Sequence, residues 1–186
     1  MVSHAGTTYL ETERLILRRF IESDAEDMFN NWASDSEVTK FLTWPNHGSV
    51  KISREIINTW INSYKDIENY QWAIELKESK SVIGSASLMD IDNHNEHCEI
   101  GYCLGQSFWN KGIMTEAFLK IIDFAFCDLG FQRITGRHEV DNTASGCVME
   151  KCGLAYEGTL RKILKNNKGI LVDCKYYSIL KGRLSL

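Results

Sequence analysis

The alternation of hydrophobic and polar residues divides the chain into strands and helices without an internal repeat. Apolar residues at every second position predict strands, and apolar residues three and four positions apart predict helices. The predicted strands cover residues 14–20, 70–76, 82–89, 99–104, 133–140, 155–164 and 170–180. Predicted helices begin near residues 23, 36 and 49, and two more cover residues 114–129 and 144–152. This order predicts an α/β (α+β) fold with a mixed, mostly antiparallel central sheet of about seven strands and helices on both faces.

The length and composition predict one packed domain that spans residues 1–186. A domain of this size buries about 70% of the surface that its unfolded chain exposes. Hydrophobic residues make up 44% of the chain and aromatic residues 11%, which is typical of a folded core and not of a disordered chain. Residues 1–8 are expected to form a flexible, frayed terminus.

Charge and cysteine content exclude several other classes of protein. The net charge of −4 comes without a basic stripe, so no nucleic-acid partner is predicted. Short apolar runs and the absence of a signal-peptide pattern predict a cytoplasmic protein without a membrane partner. The six cysteines lack C-x-x-C spacing and are expected to be reduced. His94 and His97 lie in a predicted turn with spacing unsuited to ligation, so no metal site is predicted.

The stretch 99–117 joins a predicted strand, a glycine-containing turn and the start of the long helix. This geometry binds phosphate, because the first N–H groups of a helix lack partners and the helix dipole is positive there. Gly112 lets the backbone approach an anion, and Lys111 adds a cation. The stretch contains neither the Walker A pattern nor the dinucleotide pattern G-x-G-x-x-G.

Residues 109–114, W-N-K-G-I-M, resemble the pyrophosphate loop Q/R-x-x-G-x-G/A of the GNAT superfamily of N-acetyltransferases. Trp109 replaces Gln or Arg, as in the RimJ/RimL branch of ribosomal-protein N-terminal acetyltransferases, and Met114 replaces the small residue. Three further segments resemble motifs of this branch: N-x-A-S-x-x-V-x-E-K-x-G-F at 142–154, E-G-x-L-R at 157–161 and D-x-x-x-Y-S-x-L at 173–180. The resemblance covers nearly the whole chain and implies the GNAT fold.

The resemblance implies acetyl-CoA as the cofactor. Backbone groups of Tyr102 and Leu104 would bind its pantetheine arm and polarise the thioester carbonyl. The pyrophosphate would be held by the loop residues Trp109, Asn110, Lys111, Gly112, Ile113, Met114 and Thr115. The Asn142 side chain would bond the pantetheine, and Ser145 would lie near the sulfur. Simple capping of the following helix is the alternative for both residues.

Direct acetyl transfer to an amine needs proximity, a base and a donor for the leaving thiolate, but no covalent enzyme nucleophile. Glu99 is the candidate base, acting directly or through water, although a purely structural ion pair is the alternative. His138 is a weaker alternative base. Ser145 and Tyr177 are the other catalytic candidates; Tyr177 would protonate the thiolate unless it is a packing residue. Trp44 would line the acceptor pocket or belong to the core.

The sequence therefore predicts a cytoplasmic acetyltransferase, a monomer or homodimer, that acetylates a primary amine. A protein N-terminal amine and a small-molecule amine or polyamine are the two acceptor classes. The acidic composition favours a cationic acceptor through electrostatic steering. A non-catalytic acyl-CoA-binding or interaction module on the same fold is the alternative from another class, because a fold does not determine function.

Overall fold

The computed structural model describes residues 1–182, so the last four residues of the predicted domain lie outside the described part. The strands are β1 (Leu10–Glu11), β2 (Leu15–Arg18), β3 (Tyr70–Leu76), β4 (Ser81–Asp92), β5 (His97–Leu104), β6 (Arg133–Glu139), β7 (Ala155–Lys165) and β8 (Leu171–Leu180). The α-helices are α1 (Ala25–Met28), α2 (Ser36–Thr39), α3 (Val50–Ser63), α4 (Ile113–Cys127) and α5 (Thr143–Lys151). Within residues 1–182, no helix combines the length and apolar character that crossing a membrane requires.

The strands form a single sheet in the order β1-β2-β3-β4-β5-β6-β8-β7. Neighbouring strands are antiparallel except for β5 and β6, which are parallel. The predicted mixed, mostly antiparallel sheet is therefore confirmed, with one strand more than expected. The extra strand, β1, contains two residues, which is too short to show alternation in the sequence.

Side-chain alternation gives the sheet two buried faces. Trp72 and Ile100 point to the face covered by α4 and α5, where they pack with Phe118. Ala73, next to Trp72 along β3, points to the other face and joins the cluster that contains Trp32. Helices therefore cover both faces, as the sequence predicted.

The middle of the sheet opens into a notch. Parallel pairing between β5 and β6 ends where Glu99 lies opposite Thr135. Beyond this point β5 continues to Leu104 and β6 to Glu139, without pairing to each other in the described register. The two strands diverge, so backbone groups along this part of β5 are available to a ligand.

The N-terminal residues contact the rest of the fold, in contrast to the expected frayed terminus. The Ser3 N–H donates to the Leu129 carbonyl at 2.8 Å, and the Gly6 N–H donates to the Ile67 carbonyl at 2.9 Å. Thr7 is buried, and its hydroxyl donates to the Asn69 carbonyl. The expectation was wrong because these partners are distant in the chain and leave no local sequence signal.

Candidate active site

The predicted phosphate loop forms the turn between β5 and α4. Asn110 and Gly112 have φ values of 59° and 72°, in the left-handed region that suits these two residue types. Gly112 is the N-cap of α4, and no side chain caps the helix. Three N–H groups in the first turn therefore lack intrahelical partners, those of Ile113, Met114 and Thr115. Such a helix N-terminus is suited to bind an anion.

Arg14 holds this loop from the start of β2. Its Nη1 donates to the Lys111 carbonyl at 2.9 Å, and its Nε donates to the Glu116 carboxylate at 2.6 Å. Arg14 Nη2 also lies 3.6 Å from the position that a Cβ on Gly112 would occupy. The site thus has a guanidinium that sequence reasoning missed, because 97 residues separate Arg14 from Lys111. The Lys111 ammonium lies over the Phe108 ring, 5.8 Å from its centroid.

A cavity of about 400 Å³ extends from the loop to the notch. All the predicted cofactor residues except Lys111 line it: Tyr102, Leu104, Trp109, Asn110, Gly112, Ile113, Met114, Thr115, Asn142 and Ser145. The structure therefore brings together residues from β5, the loop, α4 and α5. We call this space the cofactor cavity, and cofactor binding by these residues stays a prediction.

Backbone groups on β5 point into the notch in an alternating pattern. The Gly105 N–H donates to the Ile83 carbonyl on the β4 side. Since antiparallel hydrogen bonds alternate along a strand, Tyr102 and Leu104 direct their backbone groups to the other side. The Leu104 carbonyl accepts a hydrogen bond from the Trp109 indole at 2.7 Å. The Trp109 indole therefore uses the Leu104 carbonyl, which was predicted to bind the pantetheine arm. The backbone groups of Tyr102 remain accessible.

Asn142 and Ser145 cap α5 and also line the cavity. The Asn142 Oδ1 accepts from the Ser145 N–H at 3.3 Å, which is the capping role considered as the alternative. No hydrogen bond of the Asn142 amide nitrogen occurs among the described residues. The Ser145 hydroxyl lies 2.7 Å from the Tyr102 hydroxyl, which also donates to the Ser145 carbonyl. Capping thus leaves one hydrogen-bonding group of Asn142 for a ligand.

A second cavity of about 360 Å³ lies on the sheet face that α1 and α3 cover. Alternate residues of β3 to β6 form its floor: Gln71, Ser85, Ser87, Met89, Glu99, Gly101, Cys103, Arg137 and Glu139. Its roof consists of Phe41, Leu42, Thr43, Trp44 and Trp60. Trp44 thus lines a cavity and also packs against the core cluster of Trp32, and a role in acceptor binding stays a prediction. The two cavities share Phe41, Leu42, Tyr102, Cys103, Asn142 and Ser145, so they meet at the notch.

Glu99 is the buried carboxylate of the second cavity, with 6% of its surface exposed. Its Oε1 lies 3.2 Å from the Nε of Arg137, whose Nη2 lies 3.7 Å from Asp90. Burial raises the pKa of Glu99 to about 7, and it outweighs the opposite effect of Arg137. Glu99 is therefore ion-paired and has a pKa near neutrality, and its role as a base stays a prediction.

His138 lines the second cavity and Tyr177 packs against the His138 ring, and catalytic roles for both stay predictions. The His138 Nδ1–H donates to the Glu139 carbonyl, which leaves Nε2 unprotonated in the neutral ring. Nε2 is buried and lies 2.8 Å from the position of a Cβ on Gly146, and burial lowers the pKa of His138. Tyr177 stacks on His138 with ring centroids 5.5 Å apart and also packs on Tyr156. Tyr177 lines neither cavity, so its packing gives no support to a role as the acid.

Comparisons with known proteins identify the family. Residues 14–155 match the family model described as "Acetyltransferase (GNAT) domain". The Bacillus subtilis protein named "Uncharacterized N-acetyltransferase YoaA" is 33% identical over 174 residues, which cover 94% of this chain and 97% of that protein. The Bacillus subtilis protein named "Putative ribosomal N-acetyltransferase YdaF" is 36% identical over 91% of this chain and 92% of its own length.

A solved structure supports the same assignment. The microcin C7 self-immunity acetyltransferase MccE, in complex with acetyl-CoA and AMP, has a TM-score of 0.80 and 26% identity. The alignment covers 91% of this chain and 93% of that chain. The chain therefore belongs to the GNAT family of acetyltransferases. It is an acetyl-CoA-dependent N-acetyltransferase, which confirms the enzyme class predicted from the motifs.

Proposed function

We propose that this enzyme transfers an acetyl group from acetyl-CoA directly to a primary amine, with both substrates bound at the same time. The meeting of the two cavities at the notch carries this proposal. One cavity ends at an anion-binding helix N-terminus, and the other contains a carboxylate with a pKa near neutrality. Two molecules entering from opposite faces of the sheet would meet at Tyr102 and Ser145.

The residues of the cofactor cavity fit acetyl-CoA, which would supply the acetyl group as an activated thioester when bound. The unpartnered N–H groups at the start of α4 and the left-handed Gly112 suit a pyrophosphate. Phe108 and Val148 provide apolar walls for the pantetheine arm. The free backbone groups of Tyr102 and the amide nitrogen of Asn142 can orient that arm.

Glu99 is the proposed general base. An amine is protonated near neutral pH and must lose a proton before it can attack a carbonyl. Glu99 lies in the second cavity, and its pKa of about 7 keeps a substantial ionised fraction at neutral pH while allowing protonation. The carboxylate would take the proton directly or through a bound water. His138 is less suited, because its free nitrogen points at Gly146.

Ser145 is the proposed donor of a proton to the leaving thiolate. It lies at the junction of the cavities, and Tyr177 does not. The Tyr102 hydroxyl donates to the Ser145 carbonyl and lies 2.7 Å from the Ser145 hydroxyl, so it fixes the position of that hydroxyl. This arrangement gives Tyr102 a side-chain role in addition to the backbone role predicted from the sequence.

We propose a protein N-terminal amine as the acceptor. The similarity to the protein named as a ribosomal N-acetyltransferase and the motif resemblance to the RimJ/RimL branch support it. A small-molecule amine is the second candidate, because the roof over the second cavity is held in place. The Asn167 N–H donates to the Leu42 carbonyl, and its side-chain amide donates to the Thr39 carbonyl at 2.8 Å and the Trp44 carbonyl at 3.4 Å. A cytoplasmic location and a single domain over residues 1–186 remain parts of the proposal.

A panel of N-terminal peptides and small amines, each incubated with acetyl-CoA, tests the proposed function. Release of free thiol should depend on both the enzyme and the acceptor, and mass spectrometry should find the acetyl group on the acceptor. The same panel without enzyme controls for spontaneous thioester cleavage. Normal CoA binding without acetylation of any amine would contradict the proposal.

A further inference from the structure

Glu139 is a carboxylate of the second cavity without an ion-pair partner within 4 Å in the described part of the chain, and the Asn166 side chain and the more distant Lys168 are the groups that lower its pKa. Its surface is 8% exposed, and its Oε1 is buried without a hydrogen-bond donor among the described residues. None of the ion pairs within residues 1–182 includes it. Buried carboxylates are normally paired or hydrogen-bonded, because an unpartnered one loses its hydration without compensation. Glu139 therefore has capacity for a donor from outside the chain.

The guanidinium on the cavity floor does not fill this role. Arg137 Nε faces Glu99 at 3.2 Å, and Nη2 faces Asp90 at 3.7 Å. Arg137 Nη1 donates to the Tyr176 hydroxyl at 3.4 Å. Since all three nitrogens have other partners, Arg137 compensates Glu99 and Asp90, and Glu139 Oε1 is left without a donor from the cavity floor.

Strand geometry places the two carboxylates at opposite ends of the cavity floor. Glu99 lies opposite Thr135 in the register of β5 and β6. Thr135, Arg137 and Glu139 point to one face of β6, since side chains alternate along a strand. At about 3.3 Å per residue, Glu139 lies about 13 Å along β6 from the level of Glu99. A molecule that bridges the two carboxylates would therefore be elongated, with its two charges separated by an alkyl chain.

The roof favours an elongated cation. Trp44 and Trp60 lie above this floor, and their rings can pack on an alkyl chain or on a cationic group. Resting on the proposed function, we propose that the acceptor carries a second positive charge that binds Glu139 while its reacting amine lies near Glu99. A free diamine and a peptide N-terminus followed by a cationic side chain share this chemistry.

Matched acceptors test the second charge. The small-molecule pair is 1,5-diaminopentane and hexylamine, which have similar length, and the peptide pair differs by lysine or norleucine after the N-terminal residue. Wild-type kcat/KM should be about 10- to 100-fold higher for the dicationic member of at least one pair, as expected for a charged hydrogen bond. The pair that shows the preference identifies the source of the cation.

Glu139→Gln should remove this preference, mainly through KM, and leave CoA affinity unchanged. Glu78→Gln is the control, because it removes a carboxylate in the exposed turn between β3 and β4 that lines neither cavity. Equal use of both members of each pair by the wild-type enzyme would overturn this inference alone, whether or not the variant folds. A preference that persists in folded Glu139→Gln would also overturn it. No turnover with any amine would overturn the proposed function as well.

Discussion

Replacement of Glu99 by glutamine should lower turnover and raise stability above neutral pH. Glutamine keeps the size of the side chain but cannot accept the proton of the ammonium. Loss of a general base costs about 10²- to 10⁴-fold in rate. CoA affinity should be unchanged, since Glu99 lines the second cavity and not the cofactor cavity.

The pH dependence of the activity loss follows from the pKa of Glu99, about 7. Wild-type turnover needs ionised Glu99, whereas the variant depends on amine that is already deprotonated. Below about pH 7 the ionised fraction of Glu99 and the deprotonated fraction of the amine both rise about tenfold per pH unit. The ratio of wild-type to variant activity should therefore be constant there. Above about pH 7 only the free amine continues to rise, and the ratio should fall about tenfold per unit.

Glu99→Gln should lose activity but gain stability above neutral pH. The pKa of Glu99 is raised from 4.5 to about 7 by folding, so the folded chain keeps a proton that the unfolded chain releases. Its favourable contribution is fully present below 4.5 and is lost as pH rises through 7. The difference between these two pKa values corresponds to about 3 kcal/mol of folding free energy. Glu99→Gln avoids this loss, so its Tm relative to wild type should be about 6–12 °C higher at pH 8 than at pH 4.

Two measurements test these expectations: kcat/KM between about pH 6 and 9, and thermal unfolding of both proteins at about pH 4 and about pH 8. Glu78→Gln, in the exposed turn between β3 and β4, is the control and should change neither. Full activity of Glu99→Gln at every pH would refute the base assignment. A Tm difference that does not vary with pH would refute the raised pKa.

Three other substitutions test separate parts of the site. Gly112→Glu should abolish CoA binding in calorimetry by placing a carboxylate against the pyrophosphate, and Gly112→Ala, which has the same backbone strain at φ 72°, should bind better; equal affinities would place the phosphates elsewhere. Ser145→Ala should reduce kcat more than Tyr177→Phe, because Ser145 alone of the two lines the cavities; the reverse order would restore Tyr177 as the acid. Asn167→Ala removes the side-chain hydrogen bonds to the roof and should lower the free energy of unfolding by about 1–2 kcal/mol. It should also raise KM for the acceptor more than KM for acetyl-CoA. Unchanged kinetics would mean that the roof does not depend on this residue.

Local patterns predicted the elements that depend on local physics. The bounds of β3, Tyr70–Leu76, agree with the alternation of its residues, and α4 follows the apolar spacing after Gly112. The turn between β5 and α4 was also predictable, because strand, turn and helix start are contiguous in the chain. Motif and backbone geometry therefore point to the same cavity, and cofactor binding there stays a prediction.

Long-range packing was not predictable from one sequence. Arg14 reaches the loop and Asn167 reaches the roof across 97 and 128 residues, and no local pattern reports such contacts. The catalytic role of Tyr177 stays a prediction, because alternation assigns a side chain to a face of the sheet without showing whether it lines a cavity there. Arg137 and Glu139 carry a usable signal, since polar residues at every second position of a central strand indicate a buried polar floor.

Initial rates measured over a grid of acetyl-CoA and acceptor concentrations test the central claim of direct transfer most directly. Attack by the amine at the junction of the two cavities requires both substrates to be bound together. Double-reciprocal plots should therefore give lines that intersect. Parallel lines would contradict the account, because they indicate that the acetyl group passes through a covalent enzyme intermediate before it reaches the amine.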